Sequence, residues 1–335
     1  MRVDRILGVS ILISTGMALA LSLACHRPEA VQPKIEAYVP LLDPLLPAYA
    51  APKVRGEVVS IGSDSMDPLI QLWADDFKAL NPEVSFRIIS KGSATAPKAL
   101  VSGDSLIGQM SRPMNEAELA SFSAKFGYAP TQIVVAKDAL AVYVNTGNPL
   151  PHLGLDEVDA IFGQDRKAGF PKDLRSWGDL GLEGGWQLRA IQPYGRDANS
   201  GTRAFFQEHV LLKGPYRPEV KAMGDQFATV EAVASDPAGI AYGPIQHKVM
   251  GVRPMPLVSK GEPVLPSVPN ILSGRYPLTR SLYVYVNKAP GKPLPETIHA
   301  FLAYALSRNG QASVMSFGAI PVRLDTVRDD LAKLD

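Results

Sequence analysis

Residues 194–206 combine a fixed positive charge with small donor side chains, directly before an apolar helical pattern. Arg196 supplies a planar guanidinium that suits a tetrahedral oxyanion. Capping, hydroxyl and glycine residues follow it: Asn199, Ser200, Gly201 and Thr202. Because the free N–H groups and the positive dipole end of a helix attract anions, this order predicts an anion site at a helix N-terminus. The alternative is an ordinary capped helix whose arginine points into solvent.

Three earlier corners of the chain carry residues of the same kind. Each follows a predicted strand, at 57–62, 84–89 and 105–110, and the first two lead into helices. Their residues are Ser63, Asp64, Ser65 and Met66, then Gly92 and Ser93, then Ser111 and Arg112. In open α/β sheets, ligands bind outside the carboxyl ends of the strands. The four corners together therefore predict one site of hydroxyls, free N–H groups and arginines that binds a dehydrated oxyanion.

The elements that must position these corners indicate an α/β protein of two lobes. Strands are expected at 133–136 and 140–145, and the strand at 281–287 resembles the second of these. Two similar strands around 146–280 indicate one lobe inserted into another. The remaining predicted elements are helices at 155–162, 202–212, 227–235, 296–308 and 311–317, a turn at 177–180, and strands at 188–191 and 239–243. The predicted division is a signal peptide at 1–24, a proline-rich tether at 25–55, a first lobe at 56–143 and 282–335, and a second lobe at 144–281.

The N-terminus predicts export. A basic start precedes an apolar run at 6–24, which is typical of a secretory signal, with a retained anchor helix as the alternative. Cys25, the single cysteine, follows the run directly and indicates a lipid-anchored protein. The residue three positions earlier is Ser22, where lipoprotein signals usually carry Leu, so simple cleavage near Ala24 is the alternative. The expected location is the periplasm or cell envelope, with membrane contact only through a lipid anchor on Cys25.

Charge and composition exclude several classes of function. Without residues 1–24, basic and acidic residues are equal in number, so no global field favours nucleic acid. A single cysteine and scattered histidines give no metal-ligand spacing, and no metal or cofactor is expected. Any anion must therefore be held by a local site.

The motifs at these corners resemble the periplasmic phosphate-binding proteins of bacterial phosphate ABC importers, which are type II periplasmic binding proteins. The resemblance covers about 57–320, and Arg-x-x-x-Ser-Gly-Thr at 196–202 is its most specific part. It implies a two-lobed protein in which each lobe is a mixed sheet flanked by helices and two crossover strands join the lobes. It also implies a hinge-closing protein that binds inorganic phosphate and delivers it to a membrane permease. The phosphate ligands so implied are Ser65, Met66, Ser93, Arg196, Ser200, Gly201 and Thr202.

One departure from the family affects specificity. Well-studied members carry an Asp after the third strand, which accepts the proton of hydrogen phosphate, whereas this chain has Ser111 and Arg112 there. Arginine strengthens anion binding but accepts no proton. Asp64 is either the replacement acceptor or a turn residue that caps the next helix.

Three alternatives to phosphate delivery follow from the sequence. The first is a binding protein for another oxyanion, such as sulfate or molybdate, and the second is a sensor or scavenger without a transporter. The third is an exported esterase that uses Ser105 of a Gly-Asp-Ser-Leu motif. No histidine has the aspartate three positions before it that such esterases pair with their serine. We therefore expect a protein that makes and breaks no bonds.

Overall fold

The computed structural model describes residues 42–247 and 249–335. The predicted signal peptide, Cys25 and most of the tether lie outside these residues. The described end of the tether, 42–55, has neither helix nor strand. Its side chains at Leu46 and Val54 are buried in the hydrophobic core described below.

Strands and helices alternate along the first part of the chain, and helices dominate the end. The strands are β1 (Gly56–Gly62), β2 (Val84–Ser90), β3 (Ile107–Met110), β4 (Thr131–Asn145), β5 (Leu153–Gly154), β6 (Gln192–Arg196), β7 (Lys221–Met223), β8 (Gly239–Pro244), β9 (Val252–Pro254), β10 (Leu257–Val258) and β11 (Thr279–Val286). The helices are α1 (Asp67–Leu80), α2 (Thr95–Ser102), α3 (Glu116–Phe126), α4 (Leu155–Phe162), α5 (Gly201–His209), α6 (Gln226–Ser235), α7 (Val268–Leu272), α8 (Glu296–Leu306), α9 (Arg308–Phe317) and α10 (Leu324–Ala332). Short 3-10 turns occur at Asp64–Met66, Trp177–Leu180 and Gly184–Trp186.

Within the described residues, nine strands form one mixed sheet in the order β2-β1-β3-β11-β4-β8-β6-β7, with β9 also paired to β4. At one end β1, β2 and β3 are parallel, and at the other β6 is parallel to β7 and β8. Both β11 and β8 run antiparallel to β4. The carboxyl ends of β1, β2 and β3 therefore meet at one edge, as the site prediction requires.

Strand β4 connects the two halves of this sheet. Its residues up to Ala139 pair with β11, and those from Leu140 pair with β8. The sequence predicted two strands with a break near 137–139, and that prediction is wrong. Lys137 and Asp138 resemble a turn in sequence, but Asp138 is buried and neutralised by Arg280 on β11, so the strand continues through it.

Each half of the sheet has its own hydrophobic core. The first core packs α1, α8 and α9 on the β1 half and includes Val58, Trp73, Phe77 and Phe301. The second packs α4 and α5 on the β8 half and includes Val142, Phe162, Phe206 and Tyr242. Helix α1 shows why these elements form: Pro68 lies in its first turn, and its buried residues recur at helical spacing.

The strand that leads into the 196–202 motif lies later than predicted. The sequence placed it at 188–191, but Leu188 is 92% exposed, and the strand is β6, which includes Arg196 itself. Pro193 lies inside β6 although proline lacks an N–H donor. The proline is tolerated because β7 joins β6 only from Tyr194 onward.

Candidate functional site

The N-terminus of α5 forms one wall of the candidate site. Ser200 caps this helix, and its Oγ accepts a hydrogen bond from Arg203 N at 3.2 Å. The first backbone N–H groups of α5, at Gly201 and Thr202, have no partner within the helix, as at any helix start. Strand β6 ends beside them at Arg196, which is 1% exposed. The motif therefore brings a cation and a helix start to one place.

The backbone of Arg196 is held from both sides. Its N–H donates to the Tyr242 hydroxyl at 3.2 Å, and its carbonyl accepts from Arg203 Nη1 at 2.8 Å. Arg203 in turn lies over the ring of Tyr216, 3.8 Å from its centroid. Burial raises the pKa of Tyr242, so its hydroxyl stays protonated. These contacts fix the direction in which the guanidinium leaves the strand.

Three serines from the parallel strands form the opposite wall. Ser63, Ser93 and Ser111 follow β1, β2 and β3, and each is 0% exposed. Ser93 Oγ accepts from Ser111 N at 3.0 Å and lies 3.2 Å from Ser111 Oγ. Three fully buried hydroxyls at one sheet edge are unusual, since buried polar groups are costly unless they are paired.

The two walls touch. Ser65 Oγ and Thr202 Oγ1 are 2.9 Å apart, and Arg196 Nη2 donates to Asp64 Oδ2 at 2.5 Å. The next loops also meet: Ala94 N donates to Asn199 O at 3.3 Å, beside Gly92, whose φ of +97° and tight fit exclude a side chain. The site is thus closed, and most of its groups are buried.

Several buried polar atoms in this cluster have no hydrogen-bond partner among the described residues. They are Nε and Nη1 of Arg196, Oδ1 of Asp64 and Oγ of Ser63. A buried guanidinium with two unpaired nitrogens is expensive, at roughly 1–3 kcal/mol or more for each group. An oxyanion would accept from the guanidinium nitrogens and the serine at once, which makes this cluster suited to such a ligand.

A second buried arginine, which the sequence reasoning missed, lies behind the cluster. Arg280 donates to Asp138 Oδ2 through Nε and Nη2, at 3.0 and 2.7 Å, and to Thr202 Oγ1 through Nη1 at 3.0 Å. The sequence did contain a signal for this pair, because Asp138 and Arg280 each lie inside a mostly apolar strand. Both arginines are paired with an aspartate, so an anion here depends on directed donors and helix ends rather than on net charge.

Arg112 is not brought into the cluster. Its Nη1 and Nη2 each donate to Glu118 at 2.7 Å, and Nη1 also donates to the Pro113 carbonyl. Glu118 is favoured there because it closes the capping box at the start of α3. The expectation that Arg112 strengthens anion binding therefore lacks a structural basis. Met66 lies beside the cluster, but its side chain belongs to the first core.

The Ser105 motif shows the contacts of a structural residue. Its Oγ reaches the carbonyls of Val59 and Ile107, at 2.6 and 2.5 Å, and accepts from Ile107 N at 3.2 Å. None of these partners is a base. Across residues 42–247 and 249–335, no group of three or more acidic, histidine or cysteine side chains is arranged to hold a metal, and no helix there is long and apolar enough to cross a membrane.

Comparison with known proteins gives consistent matches. A family model described as a PBP superfamily domain matches residues 47–309. The phosphate-binding protein PstS of Pseudomonas aeruginosa is 42% identical over 287 residues, covering 85% of this chain and 89% of that protein. Protein SphX of Synechococcus elongatus is 27% identical, covering 83% of this chain and 81% of its own. The structure of an ABC-type phosphate transport receptor from Vibrio cholerae has a similar fold, with a TM-score of 0.63 at 19% identity, over 80% of this chain and all of that one.

Proposed function

The chain belongs to the PBP superfamily of binding proteins, and from that membership we propose that it binds inorganic phosphate and delivers it to an ABC importer. The family predicted from the corner motifs and the two-lobed α/β fold class are both confirmed. The observation that carries the function is the buried Arg196 guanidinium, with two nitrogens unpaired, beside the start of α5.

The proposed ligand set follows from the closed cluster. Arg196 supplies the charged donors, and the start of α5 supplies backbone N–H groups. The hydroxyls come from Ser63, Ser65, Ser93, Ser111 and Thr202, while Ser200 acts as the helix cap and Met66 contributes only backbone. Arg112 is left out because Glu118 occupies its guanidinium.

Asp64 is the proposed source of specificity. Its Oδ2 accepts from Arg196, and its buried Oδ1 has no partner among the described residues. An ionised carboxylate is only an acceptor, so it attracts an anion that still carries a proton and repels one that does not. Hydrogen phosphate is thereby favoured over sulfate, which carries no proton at neutral pH.

We propose that the lobes close about the two strands that cross between the cores. The change of partner on β4, between Ala139 and Leu140, supports a hinge there, a few residues before the boundary expected after 143. The bound anion would stabilise the closed form by contacting both walls at once. The protein makes and breaks no covalent bonds. It acts after export to the cell envelope, and it is anchored there if Cys25 is acylated.

Calorimetry with phosphate, sulfate and molybdate from pH 5 to 9 tests this function. Wild-type protein should bind phosphate in preference to sulfate, and Arg196→Gln should lose about 2–5 kcal/mol, roughly 30-fold or more in affinity. Arg189→Gln is the matched control because Arg189 lies exposed in the same half of the chain, over Trp186. Sulfate or molybdate binding more tightly than phosphate, or unchanged affinity in Arg196→Gln, would contradict the proposal.

Asp64→Asn separates specificity from affinity. The amide can donate to an unprotonated oxygen, so the variant should bind sulfate better relative to phosphate. An unchanged ratio of the two affinities would remove Asp64 as the proton acceptor.

A further inference from the structure

The buried Arg280–Asp138 pair lies where β4 passes from one core to the other. The two residues are register partners on β11 and β4, and they are 5% and 1% exposed. Nε and Nη2 of the guanidinium both donate to the same carboxylate oxygen of Asp138. The ion pair therefore occupies one edge of the arginine and leaves Nη1 for a different partner.

The orientation of this arginine is fixed by the surroundings of its carboxylate. The other oxygen of Asp138 accepts from Gln246 Nε2 at 2.8 Å and from Ala139 N at 2.6 Å. With both oxygens bonded, Asp138 has one favourable orientation, and Arg280 follows it. The direction in which Nη1 points is consequently set by the crossing strands rather than by the anion cluster.

The remaining nitrogen of Arg280 bonds to a residue of the cluster. Nη1 donates to Thr202 Oγ1 at 3.0 Å. Because a guanidinium can only donate, the threonine oxygen accepts this bond, and its own proton must be donated elsewhere. Ser65 Oγ lies 2.9 Å from it on the opposite wall. Whether the threonine proton goes to Ser65 or to a ligand, the chain of bonds delivers a proton toward the cluster.

We propose that Arg280 is a positioning residue for the anion: it holds the Thr202 hydroxyl as a donor and connects the crossing strands to the site. This inference rests on the proposed binding of phosphate. Charge-assisted bonds are stronger than neutral ones and polarise the next bond in the chain. Arg280 thus strengthens the bond that Thr202 donates, to the ligand directly or through Ser65, without touching the ligand itself.

A double-mutant cycle on Arg280 and Thr202 tests the inference. Arg280→Lys keeps a counter-charge for Asp138 but cannot bond Asp138 and Thr202 as a fork does, and Thr202→Val keeps the shape of the side chain without its hydroxyl. Phosphate affinity is measured by calorimetry for the wild type, both single variants and the double variant. Arg280→Lys should weaken binding about tenfold or more in the wild-type background, and less than about twofold in the Thr202→Val background, since the hydroxyl is then gone.

Thr202→Ser is the conservative control, because it restores the hydroxyl and should restore the full effect of Arg280→Lys. The neutral pair Arg280→Gln with Asp138→Asn gives a second probe that leaves no buried charge unpaired, and it should show the same dependence on Thr202. Thermal melting without ligand identifies effects on folding alone.

Equal losses from Arg280→Lys in the wild-type and Thr202→Val backgrounds, or no loss in either, would overturn the inference while leaving phosphate binding intact. A wild-type protein that does not bind phosphate would overturn the proposed function as well as this inference, so the two failures are distinguishable.

Discussion

Gly201→Ala tests whether the closed contact between the two walls is needed for binding. Gly201 is the first residue of α5 and has an ordinary backbone conformation, so alanine is acceptable to the helix itself. In the closed structure, however, an added Cβ would overlap the hydroxyls of Ser93 and Ser111. The substitution should therefore oppose closure without disturbing either core.

The size of the effect follows from the distances. The new Cβ would lie 2.8 Å from the Ser93 Cβ, which cannot rotate away and is at least 0.6 Å closer than ordinary contact at 3.4 Å. A separation of that size would weaken the 2.9 Å bond between Ser65 and Thr202 and break the 3.3 Å bond between Ala94 and Asn199. The same separation would weaken the charged bond from Arg196 to Asp64. Together with the two neutral bonds, this loss amounts to about 3 kcal/mol, or roughly 100-fold in phosphate affinity.

Calorimetry with phosphate and melting of the ligand-free protein are the two measurements. Gly201→Ala should bind roughly 100-fold more weakly, yet melt no lower than the wild type without ligand. Gly224→Ala is the control, since a Cβ there meets nothing within 4 Å and the backbone conformation is ordinary. Phosphate affinity within threefold of wild type in Gly201→Ala would refute the reasoning, because the walls would then not need to meet as described.

Three further outcomes are expected. Arg112→Gln should change phosphate affinity less than about twofold, because its guanidinium is bonded to Glu118; a tenfold loss by calorimetry would return Arg112 to the ligand set. Burial lowers the pKa of His247 to about 4, with Asp138 opposing the shift. Since unfolded histidine titrates near 6.5, the unfolded state binds more protons between these values, and stability falls as pH drops through them, by about 3 kcal/mol at most. The free energy of unfolding of His247→Phe, measured with urea, should fall by that much less than the wild-type value as the pH drops. Equal pH dependence in the two proteins would contradict the lowered pKa of His247. Ser105→Ala should melt at a lower temperature but leave any hydrolysis of a chromogenic ester unchanged, because its hydroxyl only bridges backbone atoms; loss of hydrolysis would favour an esterase.

Local patterns predicted much of the fold. The helix expected at 155–162 is confirmed as α4 (Leu155–Phe162), because its apolar spacing and its flanking glycines are properties of the segment itself. The break expected in β4 is wrong because the residue that neutralises Asp138 lies 142 positions away in sequence. Helix α10 was not predicted, and its buried Val327 belongs to the first core. Such elements depend on distant partners that periodicity does not contain.

The candidate site shows the same division. Small hydroxyl residues at strand ends were identifiable because the chemistry and the strand-to-helix corner are adjacent in sequence. The roles of Arg112 and Arg280 were not, since Arg112 follows β3 and Arg280 lies within β11, and only their distant partners decide which of them reaches the cluster. Glu118 holds one away from the cluster, and Asp138 holds the other beside it. The role of each ligand residue stays a prediction until binding is measured.

The complete burial of the serine wall has a kinetic consequence. Because Ser63, Ser93, Ser111 and Thr202 all have 0% exposure, an anion held among their hydroxyls would be largely enclosed while the walls touch. Its residence time is then governed by how often the protein opens, not by the strength of any single bond. Excess competitor in solution would not hasten departure, and a membrane partner that pries the walls apart would set the moment at which the cargo leaves.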